Sequence, residues 1–105
     1  MVKSTITIDC KMKENVINCL TELHDHFNED LLIAKIKMGM RIDHYLILKR
    51  ISEIDFNSSS DFVILRTCII FDNVFCAGSH PYYTPDEYVM LNKTNDAIFE
   101  LVHSF

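Results

Sequence analysis

The spacing of apolar residues changes several times along the chain, and each change predicts a different element. Residues 4–9 alternate between isoleucine and polar residues, the period of two that is typical of a strand. Over residues 12–27 the apolar positions recur every three or four residues, which predicts an amphipathic helix with one face on a core. The period of two returns at residues 32–42, where it indicates a long strand.

The middle of the chain is dense in β-branched and aromatic residues. Residues 45–55 fit a helical stripe as well as a strand, and the flanking strands favour the strand. Residues 62–71 are nearly all apolar, which predicts a central strand buried on both faces, or on one face and an interface. Asp72 and Asn73 tolerate a positive φ, so we expect them to form a hairpin turn into residues 74–76.

The clearest local signal marks the start of a second helix. Thr84 can cap the free N–H groups, and Pro85 suits the first helical position. Glu87 lies three residues after the cap, as a capping box requires. The sequence therefore predicts a helix from Pro85 to about His103, preceded by a loop over residues 78–83.

Together these elements predict a single α+β domain over residues 1–105. The expected order is β-α-β-β-β-β-α, a two-layer sandwich in which two amphipathic helices cover a mostly antiparallel sheet of four to five strands. The second face of that sheet would expose apolar side chains, and exposed apolar patches usually mark contacts. We therefore expect a homodimer or another partner on the sheet.

Composition and charge narrow the functional classes. The 105 residues are 49% apolar with a net charge of −5, of which residues 1–50 carry +1 and residues 51–105 carry −6. This negative charge opposes binding to nucleic acid or to an anionic membrane, and it favours a protein partner with a basic surface. With two glycines the chain cannot form a glycine-rich phosphate loop, so we expect no cofactor.

The cysteines and the first residues of the chain predict a cytoplasmic location. No apolar run is long enough to span a bilayer, and residues 1–9 lack the apolar core of a signal peptide. Cysteines in a reducing compartment stay free and usually serve as small core side chains. The four cysteines are Cys10, Cys19, Cys68 and Cys76.

An aromatic and acidic segment is the main candidate for partner binding. Tyrosine combines a large apolar ring with a polar tip and is enriched at interaction hot spots. Carboxylates beside such rings suit a basic partner, and the alternative is that the segment packs on its own core. Its residues are His80, Tyr82, Tyr83, Asp86, Glu87 and Tyr88.

A basic stripe on the predicted strand 32–42 is the second candidate. Lys35, Lys37 and Arg41 share one face of that strand, where positive charge could contact single-stranded RNA. The alternative is a solvated face or protection of an edge strand. Because the chain is acidic and few aromatic residues accompany the stripe, we rank RNA binding below protein binding.

The third candidate is a site around Cys76, His80 and Tyr83. A cysteine nucleophile needs a base or a helix dipole to lower the pKa of its thiol, and His80 and the following helix could supply them. No orienting acid is identifiable. Cys68, Cys76 and His80 also lack the tight cysteine pair of structural zinc sites, so we expect no metal.

The leading hypothesis is a small non-enzymatic protein-binding module. We expect it to act through the aromatic and acidic segment, as an inhibitor, immunity protein or viral accessory factor would. A small ligand-binding protein or enzyme around Cys76 and RNA binding by the basic stripe are the alternatives. We assign no catalytic residue, metal or cofactor.

Overall fold

Helices form the regular structure in the part of the chain that the structure describes. This structure is a computed structural model, and it describes residues 8–75 and 80–104. The helices are α1 (Cys10–His26), α2 (Glu29–Lys37), α3 (Ile42–Glu53), a short 3-10 helix (Phe56–Ser58), α4 (Asp61–Val74) and α5 (Pro85–Val102). The predicted α+β sandwich is wrong, because residues 8–75 and 80–104 contain no strand.

Both amphipathic helices expected from the sequence are confirmed. Asp9 caps α1, where its side chain accepts hydrogen bonds from the backbone N–H groups of Lys11 and Met12 at 3.0 and 3.1 Å. The capping box at the start of α5 is also present. The Thr84 hydroxyl accepts from the Glu87 N–H at 3.2 Å, and the Glu87 carboxylate accepts from the Thr84 N–H at 2.8 Å.

The strand predicted over residues 32–42 is instead α2, a turn and the start of α3. Asn28 begins α2, because its side chain accepts a hydrogen bond from the Leu31 N–H at 2.9 Å. The residues of α2 that face the core include Leu32 and Lys35. A charged residue at a buried position hides the helical period, and the remaining apolar residues then appear to alternate.

A glycine turn separates α2 from α3. Gly39 has a φ of +96°, a conformation that side chains with a Cβ rarely adopt. Its N–H donates to the Ile36 carbonyl at 3.0 Å, and the Met40 N–H donates to the Lys35 carbonyl at 2.9 Å. These two bonds form a Schellman motif, which ends α2 and leaves Met38 at its exposed C-cap.

Residues 45–55 lie mostly in α3, so the helical stripe was the correct alternative and the predicted strand was wrong. The predicted central strand at residues 62–71 lies within α4. The hairpin turn at residues 72–73 is wrong for the same reason. The buried residues of α4 have helical spacing and are Ile64, Thr67, Cys68 and Phe71. Phe62 and Ile69 are apolar on the opposite face, which is why the pattern suggested a strand buried on both sides.

Several predictions concern residues that lie partly or wholly outside the described ranges. For the predicted strand 4–9, residues 4–7 lie outside the described residues, and Ile8 and Asp9 are not in a strand. Residues 76–79 also lie outside the description, whereas His80–Tyr83 form the irregular segment expected before α5.

Four of the helices form a ring in which each packs on two neighbours. α1 packs on α3 and α5, and α4 packs on the same two helices, so α3 and α5 lie diagonally across the ring. α2 packs on α3, and the 3-10 helix packs on α1. Because α3 and α5 are diagonal, their outer faces point away from each other. The sheet that was expected to support a homodimer has no counterpart in the described residues.

Candidate functional site

A buried ion cluster joins three helices. Lys35 of α2 and Glu87 of α5 are 3% and 2% exposed, and Lys35 Nζ donates to Glu87 Oε1 at 2.6 Å. His26, the last residue of α1, has its Nε2 atom 2.7 Å from Glu87 Oε2. Lys35 Nζ also donates to the Tyr82 carbonyl at 2.6 Å. The cluster therefore fixes the segment before α5 against α1 and α2.

Glu87 stays ionised inside this cluster. Burial raises the pKa of its carboxyl, but hydrogen bonds from Lys35, the Thr84 N–H and His26 outweigh burial and lower the pKa below its usual 4.5. A buried charge is tolerated only when it is paired and hydrogen-bonded, and these three donors meet that condition. The arrangement holds structure together and leaves the carboxylate oxygens occupied.

His44 is the centre of a second buried cluster. Its side chain is fully buried, and its Nδ1 atom lies 3.0 Å from the Tyr83 hydroxyl and 3.2 Å from the Tyr82 hydroxyl. The rings of Phe75 and His80 pack against it with centroids at 4.4 and 4.6 Å. Burial, with a smaller contribution from His80, lowers the pKa of His44 to about 4, so the ring is neutral at pH 7.

The contacts of the two clusters bury most of the aromatic and acidic segment. Tyr82, Tyr83 and Glu87 are buried, whereas His80 and Tyr88 are half-buried. The Tyr88 hydroxyl contacts the backbone N–H and carbonyl of His80. Most of the aromatic surface therefore packs on the core of the protein.

Asp86 is the one member of the predicted partner-binding set that is exposed. The predicted basic stripe is also divided. Lys35 is buried in the ion cluster, whereas Lys37 and Arg41 are exposed. Arg41 pairs with Asp43 at 2.7 Å, which offsets much of its charge.

A small cavity lies beside the second cluster. It has a volume of about 40 Å³, and its lining includes His80, Tyr83, Tyr88 and Asn95. The structure thus brings His80 and Tyr83 together, as the third candidate site required, while Cys76 lies outside the described residues. A cavity of this size holds one or two water molecules and is far below the ~300 Å³ of a typical ligand pocket. The described residues also include no group of three or more metal-ligating side chains.

The sequence analysis missed an exposed apolar surface at the corner between α2 and α3. Met38, Ile42 and Leu46 are 59%, 64% and 58% exposed, and the last two lie one turn apart on the outer face of α3. Lys49 and Arg50 follow on the same helix and are exposed. We call these five residues the corner surface. Only the spacing of Ile42 and Leu46 within α3 was a signal in the sequence, and these residues were assigned to two predicted strands.

The outer face of α5 is mainly acidic, with Asp96 and Glu100 against one exposed basic residue, Lys93, which pairs with Glu22 at 3.5 Å. Val89 and Phe99 are 66% and 57% exposed, and Asp96 and Glu100 lie exposed between and beside them. We call these four residues the α5 face. Asp72 of α4 lines a surface depression of about 250 Å³ together with Asp96 and Phe99, which adds a further carboxylate.

No protein-family model, no curated protein and no solved structure matches the chain. Among the described residues, no helix has the length and apolar character needed to cross a membrane.

Proposed function

We propose that the chain is a protein-binding module that acts through the corner surface. The observation that carries this proposal is the exposure of Met38, Ile42 and Leu46, each more than half accessible. Ile42 and Leu46 lie one turn apart on α3, and Met38 is the C-cap of α2 at the turn that leads into α3. Large apolar side chains grouped in this way usually mark a contact, because covering them removes apolar area from water. Scattered single exposures would carry no such meaning.

A depression beside Leu46 gives the corner surface a shape that a partner can fill. It has a volume of about 330 Å³ and is lined by Leu46, Lys49, Arg50, Glu53 and Ile54. Interfaces are anchored where an apolar side chain of one partner enters a depression of the other. Apolar walls with charged residues at the rim suit an apolar anchor flanked by charges.

Charge supports an acidic partner. Residues 37–53 hold four basic and two acidic side chains, a net charge of +2. Because the whole chain has a net charge of −5, the other residues together carry −7. Complementary charge raises the rate of encounter and excludes wrong partners. This expectation reverses the one drawn from the aromatic and acidic segment, because much of that segment is buried.

The interior of the protein supports a binding role over a catalytic one, because it offers little room for a substrate. Lys35 and Glu87 bond to each other, and Glu87 also bonds to His26. In the second cluster His44 Nδ1 bonds to two tyrosine hydroxyls, while its buried Nε2 has no hydrogen-bond partner. The cavity beside them has room for water only. We further propose an intracellular setting, which suits the free thiols of Cys10, Cys19 and Cys68.

Photo-crosslinking in the native cell tests the proposal. A benzophenone amino acid in place of Leu46 is expected to give a discrete protein adduct, because its side chain would lie inside the interface. The matched control carries the same amino acid in place of Phe62, which is 61% exposed on a different helix, α4. Adding Ile42→Ser to the position-46 variant should remove the adduct. Absence of an adduct at position 46, or an identical adduct at position 62, contradicts the proposal.

A further inference from the structure

We propose that the corner surface binds the α5 face of a second copy of this chain, so that copies associate head to tail. This inference rests on the proposed function and names the partner of the same surface. Both halves of the contact are present on one molecule: a basic apolar surface on α3 and an acidic apolar surface on α5. The alternative occupants are an acidic helix of another protein and the same surface of a second copy.

Charge complementarity is the first argument for this pairing. The depression beside Leu46 is lined by two basic residues, Lys49 and Arg50, and one acidic residue, Glu53. The depression beside Phe99 is lined by two carboxylates, those of Asp72 and Asp96, together with Asn95 and His103. A basic apolar surface placed on an acidic apolar surface pairs unlike charges, whereas two copies of either surface would place like charges together.

Apolar matching is the second argument. Phe99 is 57% exposed on α5, where one side of its ring packs on His103 with centroids 4.1 Å apart. Asp96 lies one turn before it and Glu100 directly after it. An aromatic ring flanked by carboxylates is the complement of an apolar depression flanked by Lys49 and Arg50. The ring would enter beside Leu46 while the carboxylates meet the basic rim.

The position of the two surfaces sets the symmetry. α3 and α5 lie diagonally across the ring of helices, so the corner surface and the α5 face point in different directions. A contact between two different surfaces is heterologous, and it adds copies until the chain of molecules closes or ends. An open assembly therefore has a free corner surface at one end and a free α5 face at the other.

Sedimentation velocity of two variants, alone and mixed, tests this arrangement. The purified protein is expected to show a sedimentation coefficient that rises with concentration up to about 0.5 mM, the range of weak interfaces. Leu46→Asp places a carboxylate against the acidic α5 face, and Phe99→Asp removes the ring and adds a carboxylate opposite. Each variant alone should lose self-association by about tenfold or more. Their 1:1 mixture should form a dimer, because one partner keeps an intact corner surface and the other an intact α5 face.

A matched variant and the helical circular dichroism signal guard against misfolding. Phe62→Asp changes an aromatic residue of similar exposure on α4. This variant should show the same concentration-dependent sedimentation as the wild type. All three variants should keep the helical signal of the wild type, since the substituted side chains lie on the surface.

The outcomes separate this inference from the proposed function. A wild type that stays monomeric at every concentration, or a mixture that does not dimerise, overturns head-to-tail association. A crosslinked adduct at position 46 with a different protein then leaves the proposed function intact. No adduct at all overturns both, and an adduct of twice the mass of the chain supports both.

Discussion

At the scale of single residues, Glu87 has two roles that depend on each other. Its carboxylate completes the cap of α5 and also accepts hydrogen bonds from the Lys35 ammonium and the His26 ring. A buried ion pair adds little net stability compared with an apolar pair, but removing one partner leaves an uncompensated charge. We therefore infer that the main role of the Lys35–Glu87 pair is to fix where the segment before α5 packs against α2.

His44 makes the fold sensitive to acid. Its pKa falls from 6.5 to about 4 in the folded protein, first because of burial and then because of His80. Between these pH values the unfolded chain binds a proton that the folded chain does not. The stability due to neutral His44 is therefore complete above pH 6.5 and is lost as the pH falls toward 4, by at most about 3 kcal/mol. Urea unfolding measured at intervals from pH 7.5 to 4 should show this loss.

Two variants isolate His44 as the cause of this loss. His44→Phe removes the titrating group, so stability should change little between pH 6.5 and 5. It should be lower at pH 7 because the Tyr82 and Tyr83 hydroxyls lose a hydrogen-bond partner. His103→Gln, at an exposed position, should retain the wild-type pH dependence. A wild-type stability that stays constant from pH 7 to 5 would contradict the assignment. The lowered pKa of Glu87 adds its own loss only as the pH falls through and below 4.5.

At the scale of elements, removing the N-terminal cap of α5 is expected to lower the free energy of unfolding measurably. Thr84→Ala removes the hydroxyl that accepts from the Glu87 N–H, and loss of such a cap costs about 1 kcal/mol. Thr84→Ser keeps a hydroxyl and should stay within about 0.5 kcal/mol of the wild type. Thermal and urea unfolding of both variants check the difference. Equal stability of the alanine and serine variants would mean that the cap contributes nothing.

The two helices that the sequence predicted are those with local signals. α1 and α5 each show an amphipathic period, and the capping box at Thr84 can be recognised from residues 84–87 alone. α2 and α4 were missed because tertiary contacts bury a charged residue in one helix and expose apolar residues in the other. Residue polarity therefore does not indicate which face of these helices is buried. Lys35 is buried through a partner 52 positions away, and Phe62 and Ile69 are exposed although apolar.

The candidate site was predicted in part for the same reason. That residues 80–88 form a dense aromatic group was visible in the sequence, and the structure does bring His80, Tyr82 and Tyr83 together. Their inward orientation was not visible, because it depends on Lys35 and His44 from other helices. The corner surface required knowing that residues 38–46 pass from a helix cap into a second helix.

At the scale of the whole molecule, the question is whether the ring of helices unfolds as one unit. The ion cluster ties α1, α2 and α5 together, and Cys68 lies fully buried on α4, which the cluster does not touch. Burial raises the pKa of the Cys68 thiol to about 12, so it cannot react while the core is closed. Its reactivity therefore reports the opening of a helix remote from the cluster.

Lys35→Met is predicted to accelerate labelling of Cys68 by a slow thiol reagent about a hundredfold. The substitution leaves the Glu87 charge without its main partner, at a cost of about 3 kcal/mol, and each 1.4 kcal/mol is a factor of ten in the open population. Lys37→Met, at an exposed position on the same helix, should change the rate less than threefold, as expected for a surface substitution. Exposed Cys10, followed in the same peptide-resolved mass spectra, should label at one rate in every variant. If Cys68 labelling is unchanged in Lys35→Met, α4 opens independently of the other helices and the chain is not one cooperative unit.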